Sequence, residues 1–233
     1  MNDRGQITDM FDSIEYIYGF LNRFMSFGFD KIWRRRVVSL LKDLKNPVLL
    51  DIATGTGQMA FEMVKLKPVS IHAIDASTRM LAAMVLKVKN KKLDNIIFPQ
   101  YDFADNLYFK ADTFDATTIA FGVRNFNNKY DAFKEVYRVL KPGGKLIILE
   151  LTMPDKSPVK QLYKFYLSKI VPFWGGLFAW NRKPYKYLAQ SIQDFPDNIA
   201  INELLSMADL EPIECISMTF GIATIFVAEK KRQ

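Results

Sequence analysis

The chain predicts an α/β fold: a mainly parallel sheet with a C-terminal antiparallel hairpin, N-terminal helices and a helical lid insertion. Three observations carry this. From residue 47 to 151, short apolar β-rich runs alternate with helix-like runs, the pattern of a parallel sheet covered on both faces. One of those runs, Val48 to Ile52, feeds the small-residue turn Ala53-Thr54-Gly55-Thr56-Gly57 and then a helix-like stretch. Two β-rich runs at the end, Ile213 to Thr219 and Ile222 to Ala228, are separated by Phe220-Gly221.

The elements follow in order. Ile7, Met10, Phe11, Ile14, Ile17, Tyr18, Leu21, Phe24 and Met25 recur at three- and four-residue steps, predicting an amphipathic helix that Ser26-Phe27-Gly28 ends. Asp30 is placed to cap a second helix to about Leu44, with Ile32, Trp33, Val37, Leu40 and Leu41 inward. Arg34, Arg35 and Arg36 form a basic run, for which a solvated helix face is at least as good a reading as a functional one. Strands are expected at 48–52, 69–75, about 95–100, 114–121 and 145–151. Helices are expected at 58–66, from the cap Ser77 to Lys89, and at about 129–139. Lys141-Pro142-Gly143-Gly144 has turn chemistry. The 233 residues fit a single domain. Its parts are N-terminal helices over 1–45, a core over 46–151 and 198–233, and an insertion over 152–197.

That insertion interrupts the alternation. It is rich in aromatic and basic residues, and no Asp or Glu occurs from 156 to 193. Inserted after the last parallel strand, it is expected to lie over the carboxyl ends of the strands, where such sheets bind ligands. About half of its aromatics are expected simply to bury it against the core. The whole chain carries 32 basic and 25 acidic residues, a net charge of +7, which points to an anionic partner or surface. Cys215 is the single cysteine, so no intramolecular disulfide forms and a cytosolic setting is expected. The first residues lack a signal-peptide core, and Ile170 to Trp180 is too short to span a bilayer.

The glycine turn is the first candidate site. Gly55 and Gly57 permit a close backbone approach to a ligand, and the next helix would aim its first amides at it. Gly55-x-Gly57-x-x-Ala60 with Asp75 also satisfies a dinucleotide pattern, and a purely structural turn is the plain alternative. Asp51, at the strand end, decides between ligands. A carboxylate there repels a pyrophosphate and suits a donor with ammonium and sulfonium centres, such as S-adenosylmethionine. Asp75 is placed for its ribose hydroxyls. Asp102 is placed for an adenine amino group, or else simply caps its loop. Phe121-Gly122-Val123-Arg124-Asn125 leaves the same sheet edge and would project a guanidinium and an amide into the crevice. Arg124 would then stabilise a developing oxyanion; a surface ion pair is its plain alternative. His72, the lone histidine, lies mid-strand and is expected to be structural. No cluster has metal-ligand spacing, so no metal is expected.

Taken together, Phe11 to Gly28, Trp33-Arg34, Asp51 to Gly57, Phe121 to Asn125 and Tyr185 to Pro196 (YKYLAQSIQDFP) closely resemble the UbiE/MenG/COQ5 family of quinone C-methyltransferases. The resemblance runs over nearly the whole chain. It implies a seven-stranded, Rossmann-like class I methyltransferase fold, S-adenosylmethionine as cofactor, and a polyprenylated quinol precursor as acceptor. Demethylmenaquinol is the favoured acceptor; the ubiquinone precursor and a nucleic-acid methyltransferase are the alternatives. By position, Thr56, Asp75, Asp102 and Phe103 match cofactor contacts, and Tyr18, Arg124 and Asn125 match positions proposed to act at the quinol. With them, Asp51, Gly55, Gly57 and Ala120 complete the expected site. Gly19 stands where many members carry Asp, and Ala120 where many carry Ser, which removes one hydroxyl from the cofactor's surroundings. The expected partners are the quinol and an anionic membrane surface, with no nucleic acid. The expected location is peripheral, on the inner face of the cytoplasmic membrane. A homodimer is left open.

Overall fold

The computed structural model describes residues 12, 26, 28–171 and 183–232, with side chains from 186 onward in the last segment. The amphipathic helix expected over 7–25, Tyr18 within it, and residues 172–182 of the insertion lie outside the described residues.

Seven strands form one sheet in the order β3-β2-β1-β4-β5-β7-β6. They are β1 (Val48–Ile52), β2 (Ser70–Asp75), β3 (Ile97–Tyr101), β4 (Phe114–Ala120), β5 (Leu140–Leu151), β6 (Leu210–Met218) and β7 (Ala223–Lys230). The first five are parallel. β7 runs antiparallel between β5 and β6, so the terminal hairpin closes one edge as expected.

Alternation along the strands sorts their side chains to two apolar layers. Leu49, Ile71, Ala73, Ile147, Leu149 and Ile225 face one core. Leu50, Ile52, Ile74, Ile119, Ile148 and Phe226 face the other. Helices α1 (Asp30–Ser39), α2 (Gln58–Met63), α3 (Thr78–Asn90), α5 (Val159–Phe165) and α6 (Lys183–Gln193) bury residues in the first core. Helices α4 (Lys129–Val139) and α7 (Asn198–Met207) bury theirs in the second. Trp33 is fully buried and donates its indole N–H to Thr219 Oγ1 at 2.9 Å. That bond ties α1 to the turn before β7.

Several expectations are corrected. Phe29, not Asp30, occupies the cap position of α1; Asp30 is inside the helix, where it pairs with Arg34 one turn on. The helix ends at Ser39, and Ile32 is exposed because the stripe Trp33, Arg34, Val37 and Val38 takes the core. The Lys141–Gly144 turn is a bulge within β5: the partner strand advances from Phe114 to Ala116 while β5 advances from Leu140 to Lys145. Helix α7 is an addition to the expected elements; Asp197 caps it by accepting from Ala200 N at 2.9 Å. Ser77 caps α3 as expected, accepting from Met80 N at 3.1 Å.

The chain runs outward from β1 to β3, then crosses back to β4. The crevice at this reversal lies outside the carboxyl ends of β1 and β4. Two loops meet there, Ala53–Gly57 and Phe121–Asn125.

Candidate active site

Both loops leave the sheet through left-handed backbone. Ala53 has φ 53° and Phe121 has φ 60°, a conformation that costs a side-chain-bearing residue about 1–2 kcal/mol. Neighbours hold each bend. Thr54 N donates to Ile74 O at 3.0 Å, and Phe121 N donates to Leu149 O at 2.7 Å. Gly57 (φ 89°) precedes α2, where an added Cβ would stand 2.9 Å from the Phe61 ring and 3.0 Å from Met84. Glycine is therefore required there by both torsion and space.

Between the loops opens a cleft with about 930 Å³ of empty space, solvent at its mouth included. Asp75, Asp102 and Asp105 line it, and among the described residues no Lys or Arg does. Met80, Phe103, Phe121 and Phe126 supply apolar walls. Asp75 accepts from Gly55 N at 2.7 Å through Oδ2 and from Ser77 N at 2.8 Å through Oδ1. These bonds fix the carboxylate against the glycine turn, and burial raises its pKa. Asp102 accepts from Phe103 N at 2.8 Å and Tyr108 N at 2.9 Å. It therefore organises its loop and also lines the cleft. A carboxylate retains lone pairs beyond two such bonds, so both acids can still accept from hydroxyl or amino groups. Among the described residues the charged lining is acidic, which disfavours a pyrophosphate and suits a cationic sulfonium nucleoside. The dinucleotide reading is thereby set aside.

The remaining expected residues are placed as follows. Gly55 and Phe103 line the cleft, and so does Asn125. The Asn125 Oδ1 accepts from the Tyr187 hydroxyl of α6 at 3.1 Å. Thr56 is buried with its hydroxyl on Gln58 Oε1 at 3.1 Å, and neither it nor Gly57 lines the cleft. Asp51 is corrected. It does not face the main cleft, because its place in β1 turns it toward the α1–α2 layer, opposite Thr118 of β4. It is fully buried and accepts from Thr54 Oγ1 at 2.6 Å and Thr118 Oγ1 at 2.7 Å. Burial pushes its pKa up to about 6, against the opposing pull of the two hydroxyls and Arg34. It lines a smaller adjoining pocket of about 280 Å³ with Arg34, Gln58 and Ala120.

Arg124 is also corrected. Its guanidinium does not project into the crevice but turns beneath the loop onto Glu150. Both side chains are fully buried, and the Arg124 backbone N–H donates to the other Glu150 oxygen at 3.2 Å. The cause is Glu150 itself, a carboxylate near the end of an apolar strand that needs a cation. His72 is structural, packed among Phe98, Phe109 and Phe114, and burial lowers its pKa.

Residues 1–230 match the ubiE/COQ5 methyltransferase family. The chain belongs to that family. This methyltransferase is 40% identical over 233 residues to the ubiquinone/menaquinone biosynthesis C-methyltransferase UbiE of Geotalea daltonii, covering 99% of each chain. It is 37% identical over 226 residues to the demethylmenaquinone methyltransferase of Bacteroides fragilis, covering 97% of this chain and 92% of that one. Solved structures of similar fold include an Aquifex aeolicus SAM-dependent methyltransferase with TM-score 0.62 and 16% identity, covering 84% of this chain and 88% of that one. The [4+2]-cyclase SpnF is equally similar, with TM-score 0.65 and 15% identity, covering 98% of this chain and 96% of that one. The fold alone therefore does not decide the reaction; the family does. The methyltransferase uses S-adenosylmethionine and methylates carbon in quinone biosynthesis.

In the methyltransferase's sequence, Arg34 reads only as part of a basic run with a solvated face, and Glu150 is not singled out at all. Arg34 is buried at the adjoining pocket, and its spacing beside Trp33, Val37 and Val38 is the signal that places it inward. Glu150, the acid in Lys145-Leu146-Ile147-Ile148-Leu149-Glu150-Leu151, announces a buried charge that needs a partner.

Proposed function

We propose that the chain converts demethylmenaquinol to menaquinol, with Asn125 and Tyr187 at the quinol and Asp75 and Asp102 at the donor. The observation that carries the donor side is the acid-lined cleft, which has no basic residue among the described residues. The acceptor follows from the relatives whose names specify demethylmenaquinone.

When bound, S-adenosylmethionine supplies an electrophilic methyl group. The protein's residues do the rest by holding and orienting. Asp75 accepts the ribose hydroxyls while Gly55 and Ser77 fix its orientation. Asp102 takes the adenine amino group, and Phe103 with Met80 packs the base. Burial raises the pKa of Tyr187, so its phenol stays protonated and donates to Asn125. That leaves the Asn125 amide NH₂ to donate to a quinol oxygen. Such a bond favours the electron-rich form of the ring whose carbon attacks. Much of the acceleration comes from alignment of the two reactants. Arg124 contributes by fixing the Asn125 loop through Glu150.

The isoprenoid tail requires access to a bilayer. Among the described residues no helix is long and apolar enough to cross one. Peripheral docking is supported by α5 and its continuation to Ile170, whose outer face exposes Lys160, Lys164 and Lys169 beside Leu162 and Phe165. Each lysine near an anionic leaflet contributes roughly 1 kcal/mol. The inner face, with Tyr163 and Tyr166, is buried. Sedimentation with phosphatidylserine vesicles tests the docking; no binding at low salt would count against it.

A second acceptor, the ubiquinone precursor, is favoured by the Geotalea relative, whose name covers both pathways. Labelled S-adenosylmethionine incubated with both quinol precursors separates the two. Methylated menaquinol as sole product supports the proposal, and label only in the ubiquinone precursor overturns it.

A further inference from the structure

The tip of the hairpin between β6 and β7 holds an aromatic ring out of the fold. Thr219, Phe220 and Gly221 have φ of 46°, 57° and 90°, three left-handed residues in a row, of which only glycine takes that backbone without cost. Phe220 is 83% exposed. The tip is nevertheless clamped on both sides. Thr219 Oγ1 accepts from the Trp33 indole at 2.9 Å, and Thr219 O accepts from Ile222 N at 3.2 Å. Gly221 O accepts from Thr152 Oγ1 at 2.9 Å, and a Cβ on Gly221 would stand 3.1 Å from Pro154 Cα. A large ring held outward on strained backbone by its neighbours points to a function for that ring. Its surroundings narrow the choice. Phe29 stacks on Trp33 with ring centroids 6.4 Å apart and is exposed, as is Ile32, the residue before Trp33. The exposed charged residues of α1 are Lys31, Arg35 and Arg36, and its one acid, Asp30, is paired with Arg34. Trp33 also stands 6.4 Å from the ring of Phe121, which lines the main cleft.

We infer that Phe220 inserts into the apolar boundary of an anionic bilayer, with Lys31, Arg35 and Arg36 meeting the headgroups. This rests on peripheral docking, for which α5 supplies one contact, and adds a second at the hairpin. A ring projecting beside a basic helix face is the chemistry of an interfacial anchor. The ring leaves water, and the cations answer the charge of the anionic lipids. An acidic protein would also satisfy the cations, but a folded partner needs a broad complementary face, whereas a single projecting ring suits a fluid medium. The tip joins the crevice through Thr219, Trp33 and Phe121. Anchoring there holds the crevice close to the surface in which the quinol's tail resides.

Vesicles of phosphatidylcholine with phosphatidylserine test this on the full chain. Cys215→Ser removes the single cysteine, so an environment-sensitive dye can be attached at Phe220→Cys, or at Val69→Cys as a control. Val69 is exposed and precedes β2, at the amino ends of the strands. On vesicle addition the dye at 220 should brighten and shift to the blue, and the dye at 69 should not respond. Phe220→Asn keeps a residue that tolerates left-handed backbone. It should weaken vesicle partitioning about 10- to 100-fold, the worth of burying one Phe side chain, without lowering the melting temperature. Its turnover of a soluble, tail-less quinol analogue should stay at the wild-type level. Wild-type vesicle binding with a silent dye at 220, or with Phe220→Asn binding as tightly as wild type, would overturn the anchor and leave docking through α5 standing. No wild-type binding at low salt would overturn both. A dye response at 220 that rises with protein concentration and needs no vesicles would seat a second copy of the chain on the tip and overturn the anchor.

Discussion

Gly122 backs directly onto Ala53: a Cβ on Gly122 would stand 2.6 Å from the Cβ of Ala53. The two loops that make the crevice therefore touch through the smallest side chains available. Ala53 already has a left-handed φ of 53°, so it has little freedom to retreat. Gly122→Ala should cost about 1–3 kcal/mol through overpacking and should spread the loops apart. Thermal denaturation and S-adenosylmethionine titration together check this; stability and affinity both fall. An unchanged melting temperature would mean that the loops separate freely.

Asp51 gives the fold a pH dependence of defined sign. Its pKa is about 6 in the folded chain against an ordinary 3.8, so the folded state holds its proton more tightly. The contribution to stability is full below about pH 4 and is lost as pH rises through about 6. The shift corresponds to a cost on the order of 3 kcal/mol at neutral pH. Asp51→Asn should therefore gain stability relative to wild type at pH 7.5 and lose that advantage near pH 4.

Arg124 and Glu150 are both fully buried. Removing either partner leaves the other charge buried and unmatched, at a cost of about 3–5 kcal/mol. Arg124→Ala should lower stability by that amount in urea titration, and Arg124→Met with Glu150→Met should recover much of it. Turnover of Arg124→Ala, corrected for folded fraction and measured with a soluble quinol analogue, should fall more than donor affinity does. Full activity in folded Arg124→Ala would remove the residue from the reaction.

The Tyr187–Asn125 bond predicts a separation of kinetic constants. Tyr187→Phe frees Asn125 Oδ1, so the amide can turn its oxygen toward the quinol. Turnover should fall about tenfold or more while the apparent affinity for S-adenosylmethionine holds. Steady-state assays varying each substrate in turn check this. A matched loss of donor affinity would place Tyr187 on the donor side instead.

Much of the sheet was legible because its strands are short, apolar and bounded by turn residues. β1, β2 and β4 lie within a residue of expectation. The Lys141–Gly144 segment showed its turn chemistry, but nothing local says that flanking strands keep pairing across it. Helix α7 was missed although Asp197 follows Pro196, a start signal. Its residues alternate too loosely between apolar and polar to show a stripe. At the site, Asp75 and Asp102 stand at or just past strand ends and line the cleft. What failed was orientation. Asp51 and Arg124 point away from the main cleft because Thr118 and Glu150, from other strands, determine where they point. Such partners lie 67 and 26 positions away in the chain, beyond any local pattern.

The indole of Trp33 has a consequence at long range. It anchors to Thr219 the helix that carries Arg34, so the closing hairpin braces the pocket wall without lining it. Shortening the chain before β7 would release that brace. The first casualty would then be the wall of the small pocket that Arg34 lines, far along the sequence, rather than the sheet's own edge.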